Sequence, residues 1–517
     1  MKPFRIALGQ VKAHGIEDAE LNLQEIFRAL DDAGEAGAQL VVLPECSYPA
    51  YYLGATGDPY GENGVRDYFE FLSLLAHHAE RYGYWLAAGA VRVTEEGELR
   101  NSAFVFGPDG EPQGHYDKSF LWHFDSDWFT PGMEFPVFDM GFAKVGMLIC
   151  ADGRMPEIAR SLQLNGAEVI LDLTAWVSSG RDSSTLNNPQ CEYFMPVRAY
   201  ENGVWIAAAD KYGTEAGSIV YAGRSCVIDP HGETVLEAPS DAGTVVIHDL
   251  EPTPVTLVPR RPALYRKLTE PTAKLPVIAL LSEPVVPAEL NQRVSVVPSS
   301  GSFDAELVAE RYRMLRAQGS DLVVFGGVDG PEGWQVGLPE LEALVREIGG
   351  AMVLGVATTG CSAHQSTVLV TPQATTEHAA THGRGIQLGD AISPIVPTPA
   401  GNVGLLCGEE GLVPEVARVL MLQGADILAW PAFHDDGMLS RIVRTRADEN
   451  RVYVAAAWPD GAMVAAPTGA PIAVSPADSG VAMTAPVSRA LSRSKEMAPA
   501  TNVVTNRIPS AYGVLLK

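Results

Sequence analysis

Val145-Gly146-Met147-Leu148-Ile149-Cys150-Ala151-Asp152-Gly153-Arg154-Met155-Pro156-Glu157 carries an apolar, strand-like run into a cysteine, a short glycine-containing turn and a helix that opens with Pro-Glu. A near copy returns as Val403-Gly404-Leu405-Leu406-Cys407-Gly408-Glu409-Glu410-Gly411-Leu412-Val413-Pro414-Glu415. The pattern places a thiol at a strand end, close to the free N–H groups of a helix start, which is a setting for a thiolate nucleophile. Repetition of the stretch identifies a tandem duplication. Working outward, Gln39 to Leu43 is answered by Asp321 to Phe325, Gly166 to Ile170 by Gly424 to Leu428, and Arg198-Ala199-Tyr200-Glu201-Asn202 by Arg446-Ala447-Asp448-Glu449-Asn450. Matched landmarks in one order point to two copies of one fold.

Each copy alternates short apolar runs with segments of helical periodicity. In the first, Phe4 to Gly9, Gln39 to Leu43, Trp85 to Gly89, Ala103 to Phe106, Val145 to Ile149, Val169 to Leu171 and Trp205 to Ala208 read as strands. Asn22 to Ala36, Asp67 to Tyr82 and Pro156 to Asn165 read as helices. This is an α/β layered domain. The boundary falls in the Pro-rich stretch Glu251 to Pro276, after which Val277 to Leu281 reads as a new strand. The expected domains are 1–274 and 275–517. Arg260-Arg261-Pro262-Ala263-Leu264-Tyr265 has a counterpart in Arg507-Ile508-Pro509-Ser510-Ala511-Tyr512, so each copy is expected to end in an extended arm.

The chain has 517 residues, enough for two sizeable cores. Its 63 acidic against 37 basic side chains give a net charge of −26, which repels phosphate backbones and anionic lipid. Small molecules or proteins are the expected partners, with no nucleic acid and no membrane. Six cysteines without C-x-x-C pairing, and a start that runs directly into a strand, point to a reduced cytoplasm.

Three further segments make the cysteine informative: Leu43-Pro44-Glu45 after a strand, Tyr116-Asp117-Lys118, and Cys150 itself ahead of Pro156-Glu157. With these the first copy resembles the nitrilase superfamily of carbon–nitrogen hydrolases over nearly all of residues 1–270, and the second copy resembles it more weakly. The resemblance implies two tandem αββα sandwiches and a Glu, Lys and Cys at the site, with no metal and no organic cofactor. The chemistry of the three side chains agrees. Cys150 attacks an amide carbonyl, Glu45 moves the proton and later activates water, and Lys118 with the Ala151 N–H holds the oxyanion. Taken singly, each is as readily a packed thiol, a helix-entry acid or a solvated charge.

Relatives carry a second Glu six positions before the Pro of Phe-x-Pro-Gly. Here Phe129-Thr130-Pro131-Gly132 puts Asp125 at that place, one methylene short. Tyr51, Trp122, Thr174 and Trp176 are expected to line the substrate pocket, with Tyr48, Tyr52 and His123 nearby. Cys150-Ala151-Asp152 lacks the Cys-Trp-Glu of nitrile-cleaving relatives and favours an amidase or N-carbamoyl amide hydrolase. Acyl or amine transfer through the same thioester, nitrile hydrolysis, and a non-catalytic scaffold are the alternatives. In the second copy Phe325-Gly326-Gly327 replaces Leu-Pro-Glu, and no lysine lies between Lys274 and Lys495. Arg384 is no conservative stand-in. The second copy is therefore expected to be inactive, paired with the first as an intrachain pseudo-dimer through the helices starting at Pro156 and Pro414, and further homo-oligomerisation is open.

Overall fold

The computed structural model describes all residues except 55–58, 61–64, 179–185, 282–291, 331–333, 359–362 and 436, which places Cys361 outside the described residues. Two compact units result. The first comprises Met1–Leu257 with the short segments Ala498–Thr501 and Ser510–Leu515; the second comprises Val258–Met497, Asn502–Pro509 and Leu516–Lys517.

In the first unit the elements are β1 (Phe4–Gln10), α1 (Ala19–Glu35), β2 (Leu40–Val42), α2 (Tyr68–Tyr82), β3 (Trp85–Val93), β4 (Leu99–Phe106), β5 (Pro112–Asp117), α3 (Asp125–Trp128), β6 (Val137–Asp139), β7 (Lys144–Ile149), α4 (Pro156–Leu164), β8 (Val169–Leu173), α5 (Met195–Asn202), β9 (Trp205–Ala209), β10 (Tyr212–Glu215), β11 (Ile219–Ala222), β12 (Cys226–Ile228), β13 (Thr234–Glu237) and β14 (Thr244–Leu250). They form two six-stranded sheets, ordered β14-β1-β2-β3-β4-β5 and β13-β12-β9-β8-β7-β6. Both sheets have parallel centres, as the uninterrupted apolar runs require. Val145 pairs with Val169, and Val169 with Trp205. Leu23, Ile26, Leu30 and Ala33 of α1 pack with Phe71 and Leu75 of α2 over Val41 and Leu86. The other sheet is covered by α4 and α5. Pro156 opens α4, where its missing N–H costs nothing.

The second unit repeats the plan with α6 (Pro276–Leu281), β15 (Gln292–Val297), α7 (Ala305–Ala317), β16 (Leu322–Asp329), α8 (Leu338–Ile348), β17 (Ala351–Ala357), β18 (Gln365–Val370), β19 (Thr375–Ala379), β20 (Val396–Thr398), β21 (Gly401–Leu405), α9 (Pro414–Leu422), β22 (Ile427–Pro431), α10 (Leu439–Asn450), β23 (Tyr453–Trp458), β24 (Gly461–Ala465), β25 (Pro471–Ser475), β26 (Met483–Val487) and α11 (Arg489–Ser494). Its sheets run β19-β18-β17-β16-β15-β26 and β20-β21-β22-β23-β24-β25. Val294, Val324 and Val353 of one sheet meet Val403, Ile427 and Ala455 of the other in a sheet-on-sheet core. Tyr312, Leu341 and Val345 seal the helix side. Both units are mixed α/β with helix layers outside two sheets, the αββα sandwich expected.

One element differs from expectation. Pro276 to Leu281 is a helix, α6, not a strand. Its run is apolar and short, so periodicity alone does not separate the two states, and proline at the first position suits a helix start. The stretch before it is extended only to Arg261 and then turns through short 3₁₀ segments at Pro262–Leu264, Arg266–Thr269 and Thr272–Lys274.

Candidate active site

Glu45, Lys118 and Cys150 stand at the ends of β2, β5 and β7 respectively, and the fold brings these ends together. Glu45 lies past β2 with its N–H directed to the Thr174 carbonyl at 3.4 Å. Gly89 of β3 permits the approach, since a Cβ there would meet the Pro44 carbonyl at 2.3 Å. The backbone of Lys118 extends the ladder of β5 by donating to the Asn101 carbonyl at 2.8 Å. Asp125 is the first residue of α3.

The Lys118 ammonium donates to Glu45 Oε1 and to Asp125 Oδ2, each at 2.6 Å, with all three side chains fully buried. Asn101 Nδ2 donates to Glu45 Oε1 at 2.7 Å. Glu45 Oε2 is left without a partner. Asp125 also accepts from the Tyr51 hydroxyl at 2.8 Å and the Trp122 N–H at 2.9 Å. The one-methylene deficit of aspartate is thus met from the loop side, where Trp122 and α3 bring the carboxyl to the ammonium.

Electrostatics follow from this burial. Desolvation raises the Glu45 carboxyl above its ordinary value against the pull of Lys118. Burial works to lower the Lys118 ammonium, but Asp125 and Glu45 outweigh it and keep the group charged. The Cys150 thiol is pushed well up, by burial first and Glu45 second, with Lys118 pulling the other way. Burial and the adjacent carboxylate thus favour the protonated thiol, while the ammonium favours the thiolate.

Cys150 sits at φ 49°, the left-handed region, and opens a 3₁₀ segment, Cys150–Arg154. Asp152 anchors that turn, accepting from the Tyr116 hydroxyl at 2.7 Å and the N–H groups of Ser119, Phe120 and Ile149 at 3.1, 2.7 and 3.0 Å. Burial lifts its carboxyl to about 6. Ala151 and Thr174 are buried beside it. Tyr51 is buried with its hydroxyl committed to Asp125, and the Trp176 indole donates to Gln190 at 3.1 Å. Trp122 stacks under the Arg154 guanidinium at 4.7 Å. Tyr52, Phe124 and Trp128 form an aromatic cluster with ring centroids 5.1–5.7 Å apart. Sequence reasoning missed Asn101, which holds the base, and Asp172, which accepts the Cys150 N–H at 2.8 Å. The signal for Asp172 was present: an acid inside the otherwise apolar strand β8. Among the described residues no cluster of His, Cys, Asp or Glu is suited to hold a metal ion.

The second unit keeps the scaffold and has other residues at the places of Glu45, Lys118 and Cys150. Glu410 does the work of Asp152, accepting from the Cys407 N–H at 2.8 Å, the Thr381 N–H at 2.7 Å and pairing with His378 at 2.8 Å. Cys407 therefore stands where Ile149 does, and Gly408, at φ 54°, holds the place of Cys150. This corrects the sequence-based pairing of the two cysteines, which were one register apart. Lys118 falls between the positions matched by His378 and Thr381, so its counterpart is Ala380 rather than Arg384, which pairs with Glu409. Gly327 donates to the Ala432 carbonyl at 3.0 Å as Glu45 does to Thr174. A Cβ at Gly327 would meet the Phe433 ring at 2.4 Å, and one at Gly408 would meet Gln365 Oε1 at 2.1 Å.

The sequence profile of the carbon-nitrogen hydrolase family matches residues 5–260 and 340–495, and the chain belongs to that family, hydrolases of carbon–nitrogen bonds. Among similar proteins is the omega-amidase NIT2 of Xenopus tropicalis, 29% identical over 265 residues that cover 48% of this chain and 90% of that protein. A nitrilase of Pyrococcus abyssi is 32% identical over 238 residues, covering 46% and 86%. Among solved structures, an amidase from Nesterenkonia sp. matches at 28% identity and TM-score 0.42, covering 48% and 90%.

Proposed function

We propose that the first unit hydrolyses a small, non-peptide amide through a thioester on Cys150. As Sγ attacks the carbonyl carbon, the thiol proton passes to Glu45, whose Oε2 is the oxygen not already engaged. Lys118 and the Ala151 N–H take up the oxyanion. Collapse expels the amine with the proton from Glu45. Glu45 then removes a proton from water as it adds to the thioester, and the acid leaves as the thiol is restored. Asp125 fixes Lys118. Tyr51, Trp122, Thr174 and Trp176 surround the acyl group. The observation that carries this reading is the buried Glu45–Lys118–Asp125 ion pairing, at 2.6 Å on both sides, of which Glu45 and Lys118 act directly on the acidity of Cys150.

In this reading 1–274 is the active domain and 275–517 an inactive copy, because Gly327, Ala380 and Gly408 offer neither base, cation nor nucleophile. The copy serves as a built-in partner. Support comes from the matching helices α4 and α9 and from the recurring Arg-Pro-Tyr arms. The decisive experiment incubates the full chain with butyramide, succinamic acid and N-carbamoylglycine, follows ammonia release, and seeks an acyl adduct on Cys150 by mass spectrometry. Turnover of one of them with an adduct at Cys150 is expected. Turnover unaffected by Cys150→Ala refutes the mechanism.

A further inference from the structure

Cys150 adopts a left-handed backbone that L side chains rarely take, so its geometry needs an external cause. Two buried side chains grip the peptide groups on either side of it. Asp172 Oδ1 accepts the Cys150 N–H at 2.8 Å. With its amide turned so that each end meets a complementary group, the Gln190 nitrogen donates to the Cys150 carbonyl at 2.7 Å and its oxygen accepts from the Trp176 indole at 3.1 Å. Asp172 is 0% and Gln190 1% exposed. Asp172 stands among Val169, Ile170, Leu171 and Leu173, where an unexplained acid would be a burden. Gln190 opens a single wide turn of π-helix, Gln190–Phe194, a form frequent at functional sites. Room for its amide comes from Gly153, where a Cβ would approach the amide end of Gln190 at 2.9 Å.

The second unit supplies an internal control. Its turn has the same left-handed conformation at Gly408, which carries no Cβ and adopts it without strain. There Trp430 replaces Asp172 in the register of β22, and Met438, eight residues before Arg446 as Gln190 is before Arg198, replaces Gln190. Trp430 Nε1 donates to the Gly408 carbonyl at 2.8 Å, so one indole does what the turn alone requires. The acceptor for the N–H and the amide donor for the carbonyl accompany the cysteine.

We propose that Asp172 and Gln190 are positioning residues that clamp the two peptide groups of Cys150 and thereby aim its sulfur at the carbonyl carbon. The proposal rests on Cys150 being the nucleophile. The clamp also sorts the backbone donors: the Cys150 N–H is consumed by Asp172, which leaves the Ala151 N–H, in the first turn of its 3₁₀ segment, for the oxyanion.

The test uses the full chain with whichever of butyramide, succinamic acid or N-carbamoylglycine it turns over best. Asp172→Leu and Gln190→Met should lower kcat about 10- to 100-fold with KM moved less than about threefold, as expected for misaiming rather than lost binding. Asp172→Asn keeps an acceptor at the same reach and should retain kcat within about threefold. Should Asp172→Leu fail to fold, Gln190→Met decides, because methionine is the residue the second unit already accommodates at that place. The clamp is refuted if the leucine and methionine variants keep kcat within about twofold, if Asp172→Asn falls as far as Asp172→Leu, or if only KM changes. Cys150→Ala is measured alongside. If it is inactive, such a result counts against the clamp alone; if it still turns over substrate, the nucleophile reading fails and the clamp with it.

Discussion

Asp125→Asn tests whether the shortened acid works. The carboxyl accepts from Lys118 Nζ at 2.6 Å, Tyr51 OH at 2.8 Å and Trp122 N at 2.9 Å, with no solvent to replace any of them. An amide offers one oxygen and one NH₂. If the oxygen keeps Lys118 and Trp122 on the Oδ2 side, the NH₂ faces the Tyr51 hydroxyl, which can rotate to accept. Charge is then the main loss. Removing one member of a buried pair costs about 3–5 kcal/mol, and Glu45 still compensates Lys118, so the lower end applies. For a unit of this size about 3 kcal/mol corresponds to roughly 6–12 °C in Tm. Ammonium misplacement should cost catalysis about as much as losing one oxyanion donor, about 10²-fold in kcat. Differential scanning calorimetry and ammonia release from the best amide measure the two effects. A variant that melts within 2 °C of native and keeps kcat within about threefold would show that Asp125 neither holds Lys118 nor serves the reaction.

Much of this arrangement is legible in the sequence, and the reasons are local. The strands that end at Glu45, Lys118 and Cys150 are short apolar runs closed by turn residues, so each reactive group could be placed on a strand end without coordinates. The tandem plan follows from repeated landmarks. What the chain does not display is the third dimension of the polar contacts. Asn101 reaches Glu45 from β4 across 56 positions of sequence, and Gln190 reaches Cys150 through a π-turn that no periodicity announces. The cysteine pairing failed for a different reason. Cys407 and Cys150 lie in matching motifs, but the acids that anchor the turns, Glu410 and Asp152, set the register, and they show that Gly408 is the equivalent residue. Composition favours the conspicuous residue; hydrogen bonding decides the position. The bond from the Tyr51 hydroxyl to Asp125 spans 74 positions and is likewise announced by no local pattern.

Cys150→Ala should abolish turnover and adduct formation while leaving thermal unfolding close to native, because the thiol is a small packed group; residual amidase activity above about a hundredth of native would refute its role. Glu45→Gln should remove proton transfer, and native kcat/KM should fall as pH drops through the raised Glu45 value, since the base must be ionised; a rate independent of pH from 5 to 8 would contradict that. Alkylation of Cys150 by iodoacetamide in the Glu45→Gln chain should keep rising beyond pH 9, as burial, the largest cause of its raised value, remains when Glu45 is neutralised, and a plateau near pH 7 would reveal a resting thiolate. The last case concerns Lys495 in the second unit. It is 1% exposed, and its Nζ donates to the carbonyls of Asn450 at 3.2 Å and Arg451 at 2.9 Å, closing α10. Burial, only partly opposed by Asp426, lowers it to about 7 from an ordinary 10.5. Between those values the unfolded chain binds a proton that the folded chain releases, so stability rises with pH across the window and is lowest below pH 7. Lys495→Met removes the titrating group but leaves two helix-end carbonyls without a donor. Relative to native, the variant should therefore compare best below pH 7 and worst near pH 10. Urea unfolding at pH 6.5 and 9.5 measures the difference, and a gap between native and variant that stays constant, or narrows as pH rises, would refute the assignment of a depressed lysine.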